Sequence, residues 1–469
     1  MRFRMPRLVL FDEYGLEAHT IRSLKLVILA VAFGIVQFNI VSGIAMAGYL
    51  RALGVSDFLF GLLFAIGPML SPLQLFASFV LEKTRRRKQM MLTAGLIQRV
   101  VWLPFGLVPF FVPMENLALR IWMVALFMII SAFGGPFMNV SFHSLMADLV
   151  PEHIRGRYFA VRVRVFTVCG IVGGIFTAWI LDNFDPFYSY AIVFSMAAVL
   201  GSADILCFLG VKYPKLEKPE GESESFFKML STVLKNKPYM KFTLFITMWI
   251  FSLSIAGPFF LVHMQEGVLL SNTTITIAVQ ILPNIFSVLF VSYWGRTLDT
   301  HGNKPVMQMA SGLLCFVPFL WVFTNSSMLS VIFIMVIGMA NGLLFPAFDL
   351  GANNMMLGRA PKENRSMYLA VYLTVTSIAG IGLGNATGGW LLENVFSILE
   401  TRNLSMFGIT FTRFNYLFAL SAFLRVIMVY LALPRMLSDQ SKISAWELFH
   451  AVRRDINPRN LLARRRRFR

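Results

Sequence analysis

The sequence predicts an all-α integral membrane protein in which twelve transmembrane helices form two parallel six-helix bundles. Hydrophobic residues make up 57% of the 469 residues, and the mean hydropathy is +0.68. The chain contains many apolar runs of about 20 residues each, which is the length that a helix needs to cross a bilayer core. These runs are continuous rather than alternating, so each crossing is expected to be a helix that satisfies its own backbone hydrogen bonds. The second half of the chain also repeats the pattern of the first.

The apolar runs place the twelve helices in two sets of six. They lie at 24–48, 57–81, 89–113, 119–146, 158–182, 187–211, 241–265, 272–295, 305–324, 328–356, 368–393 and 414–434. The resulting domains are an N-terminus at 1–23, an N-terminal bundle at 24–211, a linker with an amphipathic helix at 212–240, a C-terminal bundle at 241–436 and a basic tail at 437–469.

The positive charges predict the orientation of the chain. Of the 42 Lys and Arg residues, 34 fall on one side of the predicted membrane, which by the positive-inside rule is the cytoplasm. Both termini are therefore expected in the cytoplasm of a multi-pass cell-membrane protein. This placement explains the net charge of +18 without nucleic acid, and it predicts contact between the basic tail and anionic lipids. A monomer is expected.

Several kinds of chemistry have no sequence signal here. The first 25 residues lack the apolar core and cleavage site of a signal peptide. The three cysteines, Cys169, Cys207 and Cys315, have neither metal-ligand spacing nor a disulfide pattern. No phosphate-binding loop or zinc motif is present. We therefore expect no cofactor, no metal and no enzymatic activity.

The stretch "LVPEHIRGRYFAVRVRV" at 149–165 is matched 210 residues later by "RAPKENRSMYLAVYLTV". At this offset the matched pairs are Pro136 with Pro346, Met146 with Met356, Pro151 with Pro361, Arg155 with Arg365, Tyr158 with Tyr368, Ala160 with Ala370, Gly170 with Gly380 and Gly174 with Gly384. Chance explains shared aliphatic residues but not shared Pro, Arg, Tyr and Gly, so the chain contains an internal repeat. An offset of 217 relates "SFVLEKTRRRKQMMLTAG" to "GRTLDTHGNKPVMQMASG", the loops after helices 2 and 8.

Two short segments outside the membrane also resemble each other. Residues 225–238 and 444–458 each begin with Ser, place apolar residues at helical spacing and end at Pro. Ser444 and Glu447 have the spacing of a capping box. We expect both segments to form amphipathic helices on the cytoplasmic face, with solvated linker and tail as the alternative.

The loop after helix 8 resembles the signature of the major facilitator superfamily of secondary transporters. Gly295, Asp299, Gly302 and Lys304 match the family pattern G-x-x-x-D-R-x-G-R-K, while Thr300 and Asn303 depart from it. In the first half, Ser78 and Arg85 stand at the positions of the two glycines, and Glu82 stands at the position of the aspartate. The resemblance covers about residues 22–436 and supplies no substrate.

The resemblance implies two bundles that rock around a central site near the midplane of the membrane. Helices 1, 4, 7 and 10 would line the cavity, helices 2, 5, 8 and 11 would flank it, and the others would lie outside. The candidate substrate-binding residues on these helices are Gln37, Asn39, Asn139, His143, Trp249, Ser252, Gln280, Asn284, Asn341, Asp349 and Asn385. Hydrogen bonding between helices is the alternative role for each polar member.

Asp349 is the strongest single candidate. It follows Pro346 by three residues, and its repeat partner Asn139 is also polar. A proton- or cation-binding carboxylate is one interpretation. The alternative is a structural carboxylate that pairs with Arg425 or a helix end. Arg99 and Asp204 lie in helices that the resemblance places outside the cavity, and we expect them to form a structural ion pair.

The resemblance also implies a gate on the cytoplasmic side. In the family the acid of the signature loop sits at the start of a helix in the other half, here helix 5 for Asp299 and helix 11 for Glu82. A carboxylate at a helix N-terminus is stabilised by the helix dipole. The candidate gating residues are Glu82, Arg155, Arg162, Arg164, Asp299 and Arg365.

The activity that fits these observations best is secondary transport of a small organic solute, with protons as a candidate coupling ion and symport as the expected mode. No arginine lies in the predicted cavity helices, which disfavours anionic substrates. Amides, hydroxyls and aromatic rings favour a sugar or another neutral polar solute. Efflux of amphipathic compounds is the alternative, and a non-transporting membrane sensor or enzyme is a more distant one.

Overall fold

The computed structural model describes residues 16–113, 115–213, 226–361, 365–406, 409–433, 444 and 446–450. Within this part of the chain, helices account for nearly all of the regular structure. The final basic stretch "ARRRRFR" and residues 214–225 of the linker lie outside the described residues.

Each of the twelve predicted crossings coincides with a helical segment. Their bounds are α1 Ala18–Ala52, α2 Asp57–Thr84, α3 Arg87–Phe111, α4 Leu117–Leu149, α5 Glu152–Asn183, α6 Pro186–Gly210, α7 Lys237–Gly267, α8 Asn272–His301, α9 303–321, α10 Met328–Arg359, α11 Met367–Glu400 and α12 Arg413–Ala432. Among the described residues, eleven of these are long and apolar enough to span a membrane. The remaining one, α9, is interrupted at Cys315 and begins with the polar residues Asn303 and Lys304.

Contacts divide the chain into two compact units, and two exchanged segments, 57–65 and 271–276, belong to a different unit from the rest of their helices. Unit 1 comprises 1–56, 66–222 and 271–276, and unit 2 comprises 57–65, 223–270 and 277–469. The first residues of α2 thus belong to unit 2, and the first residues of α8 belong to unit 1. The sequence prediction assigns 57–65 to the bundle at 24–211 by chain order, because hydropathy locates helices but not their neighbours.

The repeated turn before α5 is part of the core of unit 1. Leu149, Val150, Ile154 and Tyr158 are buried, in one cluster with residues of α1, α3 and α6. The Tyr158 hydroxyl donates a hydrogen bond to the Leu24 carbonyl at 3.4 Å. The turn is therefore anchored by apolar packing, and its basic side chains stay outside that core.

The matching tyrosine has an equivalent position in unit 2. Tyr368 packs edge-to-face on Tyr239, near the start of α7, with ring centroids 4.7 Å apart. The Tyr239 hydroxyl donates to the Tyr368 carbonyl at 2.9 Å. Tyr158 and Tyr368 therefore both join the fifth helix of their repeat to the first, as the sequence repeat predicts.

Unit 2 differs from unit 1 in its helix geometry. Five π-helical stretches lie in it, at His263–Gly267, Ile277–Ile281, Thr376–Gly382, Leu392–Phe396 and Ile427–Ala432, and the described part of unit 1 has none. π-Helical turns are rare in proteins, and those that do occur are often found at functional sites. A two-residue ribbon, β1 Ser405–Met406 with β2 Ile409–Thr410, lies between α11 and α12.

Both amphipathic segments are helical where they are described. The first forms a helix at Phe226–Lys235. In the second, the Ser444 N–H donates to Glu447 Oε2 at 2.7 Å and the Glu447 N–H donates to Ser444 Oγ at 3.2 Å, which confirms the predicted capping box. The N–H and the hydroxyl of Ser444 both donate to the Glu447 carboxylate, and these two bonds hold the pKa of this carboxyl below its usual range.

Candidate functional site

Unit 2 contains a cavity of about 370 Å³ between α8, α9 and α10. Its polar lining consists of Asn284, Ser287, Asn341 and Asp349, so three of the predicted substrate-binding residues meet here. The rest of the wall is apolar and includes the aromatic residues Trp321 and Phe345. The volume is within the range of small-molecule sites. Trp321 belongs to α9, which the family resemblance had placed outside the cavity.

Two features of the sequence shape this cavity. In α8 the π-helical stretch Ile277–Ile281 is followed by Pro283, which has no N–H to donate to the preceding turn. In α10, Gly338 and Gly342 allow close approach, since a Cβ at either position would collide with the backbone carbonyl of Ala278 or Pro283. Helix α10 therefore packs closely against an irregular part of α8.

Asp349 is exposed, on the α10 side of this cavity. Among the described residues its carboxylate has no ion pair and no hydrogen bond. The considered pairing with Arg425 does not form, because the buried Arg425 directs Nη1 to the Leu314 carbonyl at 3.4 Å. The repeat partner Asn139 is also exposed, and both residues follow a proline inside a long helix.

The other candidates in unit 2 are engaged in packing. Trp249 is buried against Phe348, with ring centroids 4.9 Å apart, and the Ser252 hydroxyl donates to the Trp249 carbonyl at 2.7 Å. Asn385 is buried and donates to the Phe64 carbonyl at 3.2 Å. The hydrogen bond of Asn385 joins two helices, as in the helix-to-helix alternative, whereas the Ser252 hydroxyl bonds within α7. Gln280 lies half-buried within the π-helical stretch of α8.

In unit 1 the candidates divide in the same way. Gln37 is buried and accepts a hydrogen bond from Arg99, and Asn39 donates to the Gly170 carbonyl at 3.2 Å. Asn139 and His143 of α4 are exposed. The two exposed residues therefore remain the substrate-binding candidates of this unit.

The expected partners Arg99 and Asp204 are in contact. Arg99 Nη2 lies 3.0 Å from Asp204 Oδ2, and both side chains are buried. Gly201 leaves room for the guanidinium, since a Cβ there would lie 2.8 Å from Arg99 Cδ. Together with Gln37 they form a polar cluster that joins α1, α3 and α6.

The candidate gating residues lie mostly on the surface. Glu82, Arg155, Arg164, Asp299 and Arg365 are exposed, and Arg162 is half-buried. The guanidinium of Arg162 lies 5.0 Å from the ring centroid of Phe142. Neither Glu82 nor Asp299 has an ion pair or a hydrogen bond among the described residues.

Sequence reasoning missed two carboxylates that hold the exchanged segments. Asp182 accepts hydrogen bonds from the backbone and side chain of both Asn272 and Thr273, at 2.7–2.9 Å. Glu393 Oε2 accepts from the Phe58 N–H at 2.8 Å. A signal for Asp182 was available, because an acid in the last turn of a helix opposes the helix dipole and requires a partner.

The start of α2 contains a further ion pair that was missed. Asp57 is buried, and its Oδ2 lies 3.1 Å from Nη1 of Arg413 at the start of α12. No group of three His, Cys, Asp or Glu side chains in the described residues is placed to hold a metal ion.

Comparison with known proteins gives a family and a set of similar folds. The Major Facilitator Superfamily model matches residues 26–350 and 244–468. No match was found among curated protein sequences. A point mutant of the nucleoside transporter NupG is 15% identical, with a TM-score of 0.68 over 89% of this chain and 100% of that one.

Two further structures have comparable similarity. A bacterial homologue of the human lysosomal transporter Spinster is 13% identical, with a TM-score of 0.63 over 94% of this chain and 98% of that one. A D-xylose-proton symporter is 12% identical, with a TM-score of 0.61 over 88% and 97%. At these identities the likeness concerns the fold.

Proposed function

Because this chain belongs to the Major Facilitator Superfamily, we propose that it moves a small polar organic solute across the cell membrane by alternating access. The observation that carries this proposal is the cavity of unit 2, where Asn284, Asn341 and Asp349 converge on one space. A few polar groups in a largely apolar pocket are typical of a small-molecule site. Asn139 and His143, exposed on α4, are the corresponding candidates in unit 1.

Asp349 is the group through which a proton gradient acts in this proposal. A carboxylate within a membrane protein either has a partner or carries a large desolvation cost. Among the described residues Asp349 has no ion pair and no hydrogen bond, and the titratable group that interacts with it electrostatically is the phenol of Tyr372 in α11, so a bound proton would neutralise it. Protonation at one membrane face and release at the other would couple the conformational change to the gradient.

The remaining features of the proposal concern orientation and the gate. The positive charges favour cytoplasmic termini, with the basic tail on anionic lipid and the protein acting as a monomer. Glu82 and Asp299 would bind helix N-termini when the cytoplasmic side closes. Arg162 and Arg164, early in α5, would add ion pairing to Asp299.

Efflux of amphipathic compounds is the second candidate. The apolar wall of the cavity, which includes Trp321 and Phe345, favours efflux of such compounds. A ligand with a hydrophobic ring would fit this wall better than a sugar would. The solutes tested should therefore span both classes.

Proteoliposomes loaded with a pH-sensitive dye provide the test. Solutes from each class, namely a nucleoside, D-xylose and aromatic amines and alcohols, are added with and without an imposed pH gradient. We expect at least one solute to be transported by the wild type at a rate that depends on the gradient, and Asp349→Asn to lose that dependence. Glu115→Gln, which removes an exposed acid from the loop between α3 and α4, should behave as wild type. Equal transport in all conditions would dismiss the role of Asp349.

A further inference from the structure

We propose that the cavity between α8, α9 and α10 binds the protonated amine of a small organic cation, with Asp349 as its counter-charge. This inference rests on the proposed transport function and narrows its substrate class. It departs from the neutral solute expected from the sequence.

The charge of the lining is the first argument. Among the described residues that line the cavity, Asp349 is the one ionisable group, and none is Lys, Arg or His. An anionic solute would be repelled by the carboxylate, and a neutral solute would leave it without a counter-charge. A cation compensates the charge within a membrane-spanning helix, where an unpaired carboxylate is costly.

The second argument is the set of hydrogen-bond acceptors. Asn341 also lines the cavity, and its buried Oδ1 has no hydrogen-bond partner in the described structure. It lies eight residues before Asp349 in α10, which corresponds to about 12 Å along the helix. A ligand that donates at both ends, with an ammonium at Asp349 and an N–H or O–H at Asn341, satisfies both groups.

The aromatic wall is the third argument. Trp321 and Phe345 line the same cavity. Aromatic faces attract ammonium groups and stack on aromatic rings. The chemical class that fits all three features is an aromatic amine with a second hydrogen-bond donor.

This assignment has a consequence for coupling. A proton and an ammonium group neutralise the same carboxylate, and only one of them occupies it at a time. Binding of the amine therefore displaces the proton, and return of the proton releases the amine. The inferred mode is exchange of solute for protons, instead of the symport expected from the sequence.

Three probes of equal size test the charge preference. Tyramine, tyrosol and 4-hydroxyphenylacetate share a phenol ring and differ in an ammonium, hydroxyl or carboxylate end group. Their dissociation constants are measured by calorimetry on the full-length protein in neutral phosphatidylcholine nanodiscs. We expect tyramine to bind at least about tenfold more tightly than tyrosol, as for a charge-assisted hydrogen bond, and 4-hydroxyphenylacetate to bind most weakly.

Two variants locate the preference. Asp349→Asn should reduce tyramine binding to the tyrosol level while tyrosol binding is retained, and the retained binding shows that the site is still folded. Asn341→Ala should weaken tyramine and tyrosol alike. Glu115→Gln should preserve the wild-type ranking.

Three results would overturn the inference: equal binding of tyramine and tyrosol to the wild type, a preference that persists in Asp349→Asn, or no binding of any probe. The outcome is independent of the transport test. Gradient-dependent transport of a neutral solute without charge preference would leave the proposed function standing and remove the cation site. Charge-selective binding without any transport would leave the cation site standing and remove the proposed function.

Discussion

Arg99 of α3 and Asp204 of α6 form a buried ion pair in unit 1, with Nη2 and Oδ2 separated by 3.0 Å. Gln37 of α1 accepts a second hydrogen bond from the same guanidinium. Neither charge reaches solvent to any large extent, so each depends on the other for compensation. Three helices of unit 1 are thereby held in one register.

Removing one member of this pair is expected to destabilise the protein strongly. Asp204→Asn leaves the Arg99 guanidinium buried without a counter-charge, at a cost of about 3 kcal/mol or more. The apparent melting midpoint in detergent should fall by several degrees. The double variant Arg99→Met with Asp204→Leu should recover most of the loss, because no buried charge remains. If Asp204→Asn melts like wild type, the pair has no structural role.

The loops after α2 and α8 place different residues at equivalent positions, both with positive φ but with different ψ. Gly302 has φ of 90°, and its repeat equivalent Arg85 has φ of 55°. A residue with a Cβ is destabilised by about 1 kcal/mol or more in either conformation, because Arg85 is left-handed helical and Gly302 lies in a region that essentially only glycine adopts. Arg85→Gly should therefore raise the melting midpoint, whereas Gly302→Ala should lower it. Gly358→Ala, where an added Cβ meets nothing within 4 Å, serves as the control and should not lower it. A lower midpoint for Arg85→Gly would contradict the strain.

Asp182 is expected to protect the start of α8 from solvent exchange. Its two oxygens accept separately from Asn272 and Thr273, and an Asn side chain offers only one acceptor oxygen. In Asp182→Asn, hydrogen–deuterium exchange of these two amides should accelerate by about fivefold, as for a lost N-cap of about 1 kcal/mol. Asp185→Asn, three residues away at the start of α6, makes no side-chain cap and should leave the exchange unchanged.

The proposed gate predicts a change in accessibility on the cytoplasmic side. Asp299→Asn would remove the charge that holds the closed arrangement and shift the population toward the open one. With Cys169, Cys207 and Cys315 replaced by Ser, a reporter cysteine at the exposed Val163 of α5 should then be labelled faster by a membrane-impermeant maleimide. Glu115→Gln is the matched control. An unchanged labelling rate in Asp299→Asn would contradict the gating role of Asp299.

The helices and their repeat could be predicted from the sequence because the signals are local. Hydropathy over a window sets where a helix crosses a membrane, and all twelve predicted segments coincide with helical segments. Tyr158 and Tyr368 occupy equivalent positions because the same local pattern folds in the same way twice. The contact between Arg99 and Asp204 was also accessible, since an isolated charge in an apolar helix requires a partner.

Which polar residues line a site was decided by tertiary packing. Asn341 and Asn385 are equally plausible as ligands in the sequence, yet Asn341 lines the cavity and Asn385 donates to the Phe64 carbonyl. The residue type determines whether a side chain can form hydrogen bonds. The helix that packs against its face determines which group becomes its partner.

The exchanged segments also separate what the sequence predicts from what tertiary packing decides. The apolar runs that begin at 57 and 272 are evident in the sequence, but their membership in the other unit is not. Asp182 and Glu393, which lie far away in the chain, accept hydrogen bonds from Thr273 and Phe58 at those helix starts. The sequence alone thus accounts for the helices, their order and the chemistry available to them. The pairing of those helices, and with it the cavity around Asp349, arises only when distant residues meet, because contact free energy depends on three-dimensional proximity.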